Sequence, residues 1–212
     1  MELQRLLAGR SIALSYGNIR RDRYGRRLAQ VFLLPPEDET ARAEMRAERN
    51  IVDAGPLAGN GGRIWLQAYL IAKGLARAYA LPGVESCLPS LIKFESQAID
   101  KGAGLWRNAA YEIRDARHAG ELMRYKGTYQ LVEGRVLQLG HGRRRIYLNF
   151  GRNWREDFTV GIDRKNLREF AAKGLRIEEL RGRNIRARGW ITSRNGPFIL
   201  ADDIGQIEVL GD

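Results

Sequence analysis

From residue 129 onward the chain sets three short strand-like runs, 129–138, 145–150 and 157–162, ahead of one helical stretch and two more such runs. The helical stretch, 165–180, spaces Leu167, Phe170, Ala171 and Leu175 as a core-facing stripe. The closing runs are 184–192 and 197–209, the latter broken near Gly205. A helical period framed by period-2 alternation leaves few architectures open, because each strand must bury one face and present the other.

Three strands, a helix and two strands is the order of an OB-fold barrel. Ile146, Leu148 and Phe150 share one face of their run, which leaves Arg145, Tyr147 and Asn149 on the other. By the same alternation Ile185, Ala187, Gly189 and Ile191 face inward, and Arg186, Arg188 and Trp190 face outward. Arg143, Arg144 and Arg145 follow Gly142 as a basic hairpin tip. Arginines beside Tyr147 and Trp190 suit single-stranded nucleic acid, since cations track phosphates and aromatic faces stack bases. The plainer readings are a Trp190 that covers the barrel under a loop, a Trp154 that caps a turn, and a solvated 143–145 turn. Phe150 and Phe158 are expected in the core.

Charge points the same way. The 212 residues hold 36 Lys and Arg against 25 Asp and Glu, a net charge of +11, and the isoelectric point is near 10.2. Seven arginines against two acids fall in the first thirty residues. A polyanionic partner follows, nucleic acid first and an anionic membrane surface second. The single cysteine, Cys87, excludes an intramolecular disulfide and a cysteine-rich zinc site, and His118 and His141 form no metal motif. Cys87 is expected as a packed thiol. No apolar run approaches the 18 residues of a membrane span, and Glu2 and Arg5 interrupt any signal-like opening.

Residues 22–32, Asp-Arg-Tyr-Gly-Arg-Arg-Leu-Ala-Gln-Val-Phe, form a basic turn around Gly25 leading into an alternating run. Asp22, Tyr24, Gly25, Arg26 and Leu28 match the Asp-Lys-Tyr-Gly-Arg-x-Leu signature of the staphylococcal-nuclease-like (thermonuclease) family, with Arg23 in place of lysine. The resemblance continues through residues 65–77 (Trp-Leu-Gln-Ala-Tyr-Leu-Ile-Ala-Lys-Gly-Leu-Ala-Arg) and 91–101 (Leu-Ile-Lys-Phe-Glu-Ser-Gln-Ala-Ile-Asp-Lys), and closes on Gly104, Leu105 and Trp106. It implies a small barrel with helices, calcium-dependent phosphodiester hydrolysis of DNA or RNA, and an arginine, Arg26, that grips the phosphate. Arg23 and Tyr24 then occupy positions beside the nucleotide. The 122–212 region is similar to the OB-type domain that follows the nuclease domain in some bacterial homologues, including Tyr147 to Gly151, Trp154 and Asp157 to Val160.

The family's calcium-binding aspartates and water-activating glutamate lie on strands that precede the signature. Here residues 1–9 already look like the helix that follows those strands, and 11–16 like the fourth strand, so no metal ligand is identified. The helix spacing of Leu3, Leu6 and Leu7 favours a native start further upstream. The family is often exported, which leaves an upstream signal and the compartment open. Residues 35–63 are an insertion relative to the family, expected as a loop with a short helix near 39–49. Its acids Glu37, Asp38, Glu39, Glu44, Glu48 and Asp53 match no calcium loop.

The expected fold is α+β and mainly β: a partial nuclease-type OB barrel with helices over 1–107, a connector at 108–121, and a second five-stranded OB-fold-like barrel over 122–212. Three functions follow. The first is a thermonuclease-family protein acting on nucleic acid but catalytically incomplete as written, and the second a non-catalytic single-strand-binding protein. The third is an envelope or interaction protein with a basic surface.

Overall fold

Helix α1 (Glu2–Leu7) sends Leu6 into a core with strands β2 (Gln30–Leu33) and β3 (Ile64–Trp65), and strand β1 (Ile12–Ser15) pairs at the edge of β2. The computed structural model describes residues 2–17, 21–22, 24–36, 38, 63–80 and 87–211. Arg23 and almost all of the 35–63 insertion, with its expected short helix, therefore lie outside the described residues. The chain divides into two compact units, Met1–Ala109 and Ala110–Asp212, and its class is α+β with several separate sheets.

In the first unit the strands run antiparallel in the order β1-β2-β3. Helix α2 (Leu66–Ala72) leaves β3 directly and buries Leu66, Ala68, Tyr69 and Ile71. Its Gln67 side chain pairs with the backbone of β2 as a neighbouring strand would: Val31 N–H donates to Oε1 at 3.0 Å and Nε2 donates to Ala29 O at 3.0 Å. Helix α3 (Leu88–Asp100) has a proline in its first turn, where a missing N–H costs nothing. It buries Leu88, Phe94 and Ala98, together with Glu95, whose carboxylate accepts the Ala78 N–H at 2.8 Å. Cys87, buried just before α3, is a packed thiol. At the open edge, Ile12 sits opposite Leu33 yet is 49% exposed where Leu33 is wholly buried. The apolar face thus runs out at β1.

The second unit begins where a connector was expected. Residues 108–121 supply strand β4 (Arg114–Asp115), and Ala116 packs in the core. Helix α4 (Ala119–Leu122) buries Leu122. The charged composition of this stretch hides a two-residue strand whose backbone, not its side chains, joins the sheet. The 129–138 run is one strand in sequence and two in space: β5 (Tyr129–Arg135) and β6 (Gln138–His141) join different sheets across a bend at Val136 and Leu137. Strands β7 (Arg145–Asn149) and β8 (Thr159–Asp163) complete an antiparallel meander with β6.

The expected helix at 165–180 is shorter. Helix α5 (Leu167–Ala172) ends at Gly174, whose φ of 89° is a left-handed backbone that halts the helix. A 3-10 turn, Ile177–Leu180, then returns Ile177 and Leu180 to the core. Strand β9 (Asn184–Trp190) pairs with β5, and the two-residue β10 (Thr192–Ser193) precedes β11 (Pro197–Ala201), which lies parallel to β8. The break foreseen near Gly205 is a 3-10 turn, Ile204–Gln206, after which β12 (Ile207–Val209) crosses to β9. Two sheets result, β10-β11-β8-β7-β6 and β12-β9-β5-β4. Ile146, Leu148, Phe150, Phe158, Val160, Ile162, Ile185 and Ala187 fill the core that both contribute to, each buried large side chain stabilising by about 1.5–3 kcal/mol.

Candidate functional site

Alternation along β7 holds. Ile146 and Leu148 are buried, while Arg145 and Tyr147 are half-buried on the other face. The Tyr147 ring lies across the glycines of β6 and its turn. A Cβ added at Gly142 would stand 2.9 Å from the ring's Cε2, and one at Gly140 would stand 3.6 Å from Cδ2. On β8, Gly161 does the same for Phe198, whose Cζ is 2.4 Å from where a Cβ would be. Glycine on one strand therefore lets an aromatic ring from the next lie over the sheet.

These rings wall a cavity of about 510 Å³ on the outer face of the five-stranded sheet, within the size range of small-ligand sites. Trp154, 51% exposed in the loop between β7 and β8, and Arg194 with Asn195, from the turn after β10, close its sides. Arg194 stands 5.8 Å above the centre of Tyr147, and Arg155 stands 4.9 Å from the centre of Trp154. Buried Asn149 and Thr159 supply polar atoms at the floor. Beneath the Trp154 loop, Asp157 accepts the Gly151 N–H at 2.8 Å. Burial raises the Asp157 carboxyl above its ordinary range, despite the hydrogen bonds from Gly151 and Thr159 that favour the charged form.

Of the basic tip, Arg143 and Arg144 are exposed at the turn closed by Gly142 N–H donating to Arg145 O at 2.9 Å. Arg145 differs. It stands opposite Asp163 on β8 and is ion-paired with it, and that hydrogen bond holds the guanidinium all the more firmly charged. Its positive charge is matched by Asp163 within the sheet.

Arg186 and Arg188 are also paired within their sheet. They take the face that alternation assigns, but the registers of β5 and β12 set Glu133 and Glu208 directly opposite Arg186. Arg186 is paired to Glu133 at 2.6 Å and Glu208 at 3.3 Å, and Arg188 reaches Glu208 at 3.3 Å. Arg188 is wholly buried and Arg186 nearly so. Trp190 is half exposed at the end of β9, edge-on to Tyr129 with ring centres 6.1 Å apart. It belongs to the four-stranded sheet and does not share a surface strand with Tyr147. A larger cavity, about 650 Å³, lies beside β4 and β5. Its charges are largely matched internally, by Arg117 with Asp115 at 2.6 Å and by Glu133 with Arg186.

In the first unit Gly25, at φ 79°, turns the chain, and Arg21 bridges Arg27 across the tip. The Asp22 carboxylate accepts the Tyr24 and Arg26 backbone N–H groups at 2.9 Å each and Arg26 Nε at 2.6 Å. Against the opposing pull of desolvation, those bonds from Arg26 and Tyr24 lower the Asp22 carboxyl. The Arg26 guanidinium also lies 5.2 Å from the centre of exposed Tyr24. Among the described residues no three histidine, cysteine or acidic side chains gather closely enough to hold a metal.

Alternation put Asn149 on the outward face with Tyr147, whereas Arg194, Phe198 and Thr159 were not singled out. The turn glycine Gly196 and the alternation of β11 would have pointed to Arg194 and Phe198. No family model matches the chain, and no curated protein matches it. Among solved structures, the OBody AM1L10 bound to hen egg-white lysozyme is similar over 44% of this chain and 91% of its own, at 21% identity and TM-score 0.34. The OBody AM3L09 bound to hen egg-white lysozyme is similar over 43% and 91%, at 20% identity and TM-score 0.33.

Proposed function

We propose that this chain binds single-stranded nucleic acid on the outer face of the five-stranded sheet, and that its first unit is of thermonuclease-like type. The observation that carries this reading is the aromatic cavity of Tyr147, Trp154 and Phe198, with Arg194 and Arg155 poised over the rings and Arg143 and Arg144 on the neighbouring hairpin tip. Each base stacked on such a ring contributes roughly 1–3 kcal/mol regardless of sequence, and arginines at the edges meet the phosphates between bases. The net charge of +11 favours the encounter with a polyanion.

The strand order supports an OB-type organisation of the second unit: the β5 to β8 meander, helix α5, then β9 to β12, with β11 returning parallel to β8. The 22–26 tip supports an anion contact in the first unit. Asp22 engages Nε of Arg26, and its terminal guanidinium nitrogens have no partner among the described residues. That leaves a fork suited to a phosphate. Hydrolysis needs in addition a group that activates water, and no described residue is assigned to it. The reading is binding without cleavage.

The test is a labelled single-stranded oligonucleotide incubated with the full chain, with and without calcium, and followed by both anisotropy and fragment analysis. Binding without fragments is expected, weakened at least tenfold by the double substitution Tyr147→Ala, Trp154→Ala. Calcium-dependent fragments would overturn the non-catalytic part, and unchanged affinity in the double variant would overturn the choice of face.

A further inference from the structure

We infer that the bound strand leaves the aromatic cavity over Gly142 and continues along a second basic segment, Arg164, Lys165 and Arg168, so that two loops of the second unit share its phosphates; this rests on the single-strand reading of the same face. The cavity has a definite long side. Strand β6 lines it from Gln138, opposite Asn149, to His141, opposite Ile146, and Gly142 lines its end. Trp154 and Arg155 stand in the loop that follows β7, beyond Asn149, and the hairpin tip of Arg143 and Arg144 stands at the other end. A strand lying on the rings therefore has a basic exit at the tip.

The tip is tied to the segment that follows β8. Arg164 N–H donates to Arg144 O at 2.9 Å, and Arg164 Nε donates to Gly142 O at 2.9 Å. Gly142 itself lies against the stacking ring: a Cβ there would stand 2.9 Å from Tyr147 Cε2 and 3.7 Å from its hydroxyl oxygen. Tyr147, Gly142 and Arg164 thus form one unbroken series from ring to cation. Beyond Arg164, a 3-10 turn (Arg164–Asn166) runs straight into α5. Lys165 and Arg168 are three residues apart on that helical path and Arg164 and Arg168 four apart, spacings that put side chains on one face.

These cations are not matched internally. Arg143, Arg144, Arg164, Lys165 and Arg168 are all exposed, and none is ion-paired among the described residues. The neighbouring acids are engaged elsewhere: Asp163 with Arg145, Glu169 with Lys173 at 2.8 Å, and Glu178 facing His141 at 3.8 Å. Asp202 lies near Arg145, and its carbonyl accepts Asn166 Nδ2 at 3.4 Å. Like charges three and four apart destabilise a helical turn, and a polyanion laid along them removes that repulsion. Grooves that track a single strand span about 4–16 nucleotides per OB-type domain, more than three rings can seat, so the remainder needs a run of cations continuous with the rings.

The experiment measures anisotropy of labelled dT12 against salt concentration with the full chain, as wild type and as three double variants. Lys165→Ala with Arg168→Ala removes the track and leaves in place Arg164, which holds the tip. Lys93→Ala with Lys101→Ala removes the same charge from exposed positions of the first unit. Tyr147→Ala with Trp154→Ala removes the stacking surface. The track variant is expected to lower the slope of log affinity against log salt by about 1.4, the sum of two phosphate contacts, so that wild type loses about sevenfold more affinity than the variant between roughly 50 and 200 mM salt. The first-unit variant should keep the wild-type slope, and the stacking variant should lose affinity at every salt concentration with its slope unchanged. Lys165→Gln with Arg168→Gln serves if the alanine pair does not fold. An unchanged slope in the folded track variant, or an equal fall in the first-unit variant, overturns the track while leaving the aromatic face standing. Full affinity in the stacking variant overturns the face, and the track with it.

Discussion

Replacing Gly161 by alanine puts a methyl carbon 2.4 Å from Phe198 Cζ and 2.7 Å from Cε2, distances that no real contact sustains. Phe198 is 4% exposed, so its ring can clear the new methyl only by shifting into the cavity it walls. Overpacking of this kind costs about 1–3 kcal/mol. For a unit the size of residues 110–212, that is a fall in Tm of roughly 5–20 °C. The matched control is Gly140→Ala on the same sheet face, where the new Cβ meets atoms at 3.4–3.6 Å, ordinary van der Waals contact. Without strain, alanine there restricts the unfolded chain and is expected to change stability by roughly 0 to +1 kcal/mol. Thermal unfolding of both variants, each also carrying Trp65→Phe and Trp106→Phe so that Trp154 and Trp190 alone report on the second unit, compares them directly by fluorescence. Gly161→Ala should also weaken oligonucleotide binding, because the displaced ring is a cavity wall. Equal Tm values for the two variants would refute the placement of Phe198 over Gly161, and with it the explanation of how the cavity is walled.

Removing Glu208 strips a carboxylate from buried Arg188 and from Arg186, so Glu208→Ala should cost about 1.5–3 kcal/mol in urea unfolding. The volume-matched Arg188→Met should cost much less, because it removes the buried charge itself. Asp157 has a folded-state pKa raised by burial, so its contribution to stability is full below the unfolded value of about 3.9 and is lost as pH rises through the folded one. Asp157→Asn, which keeps an acceptor for Gly151, should therefore gain on wild type between acid and neutral pH when Tm is followed against pH. Asp22 runs the opposite way: its lowered pKa gives stability above the unfolded value that is lost as pH falls through the folded one. The Asp22 carboxyl, followed by NMR against pH, should titrate below the ordinary carboxylate range, and Arg26→Ala should move its midpoint back up. Arg143, Arg144, Arg155 and Arg194 each meet phosphate on the proposed surface, so each substitution to alanine should reduce the slope of log affinity against log salt by about 0.7. Arg145→Ala should leave the slope unchanged.

Much of the second unit was legible in the residues. Period-2 alternation assigned Ile146, Leu148, Ile185 and Ala187 to the core and Tyr147 to the open face, because a pleat admits no other choice once one face is buried. The turn at Gly25 was legible for a similar reason, as a positive φ and an Asx-type carboxylate are local features. The 108–121 stretch was not, because its strand is two residues long and paired through the backbone.

The sequence by itself determined which side of each strand a residue takes, since that depends only on neighbours one and two positions away. The tertiary structure decided what meets that side. Arg186 and Arg188 point where alternation sends them, but the registers of β5 and β12 put Glu133 and Glu208 across from Arg186, and β8 does the same to Arg145 with Asp163. Register is a long-range quantity, and it converts arginines that look available for phosphate into internal pairs. The cavity arises the same way. Gly140, Tyr147, Gly161 and Phe198 lie on four different strands, and only their juxtaposition turns two glycines and two rings into a surface for a base.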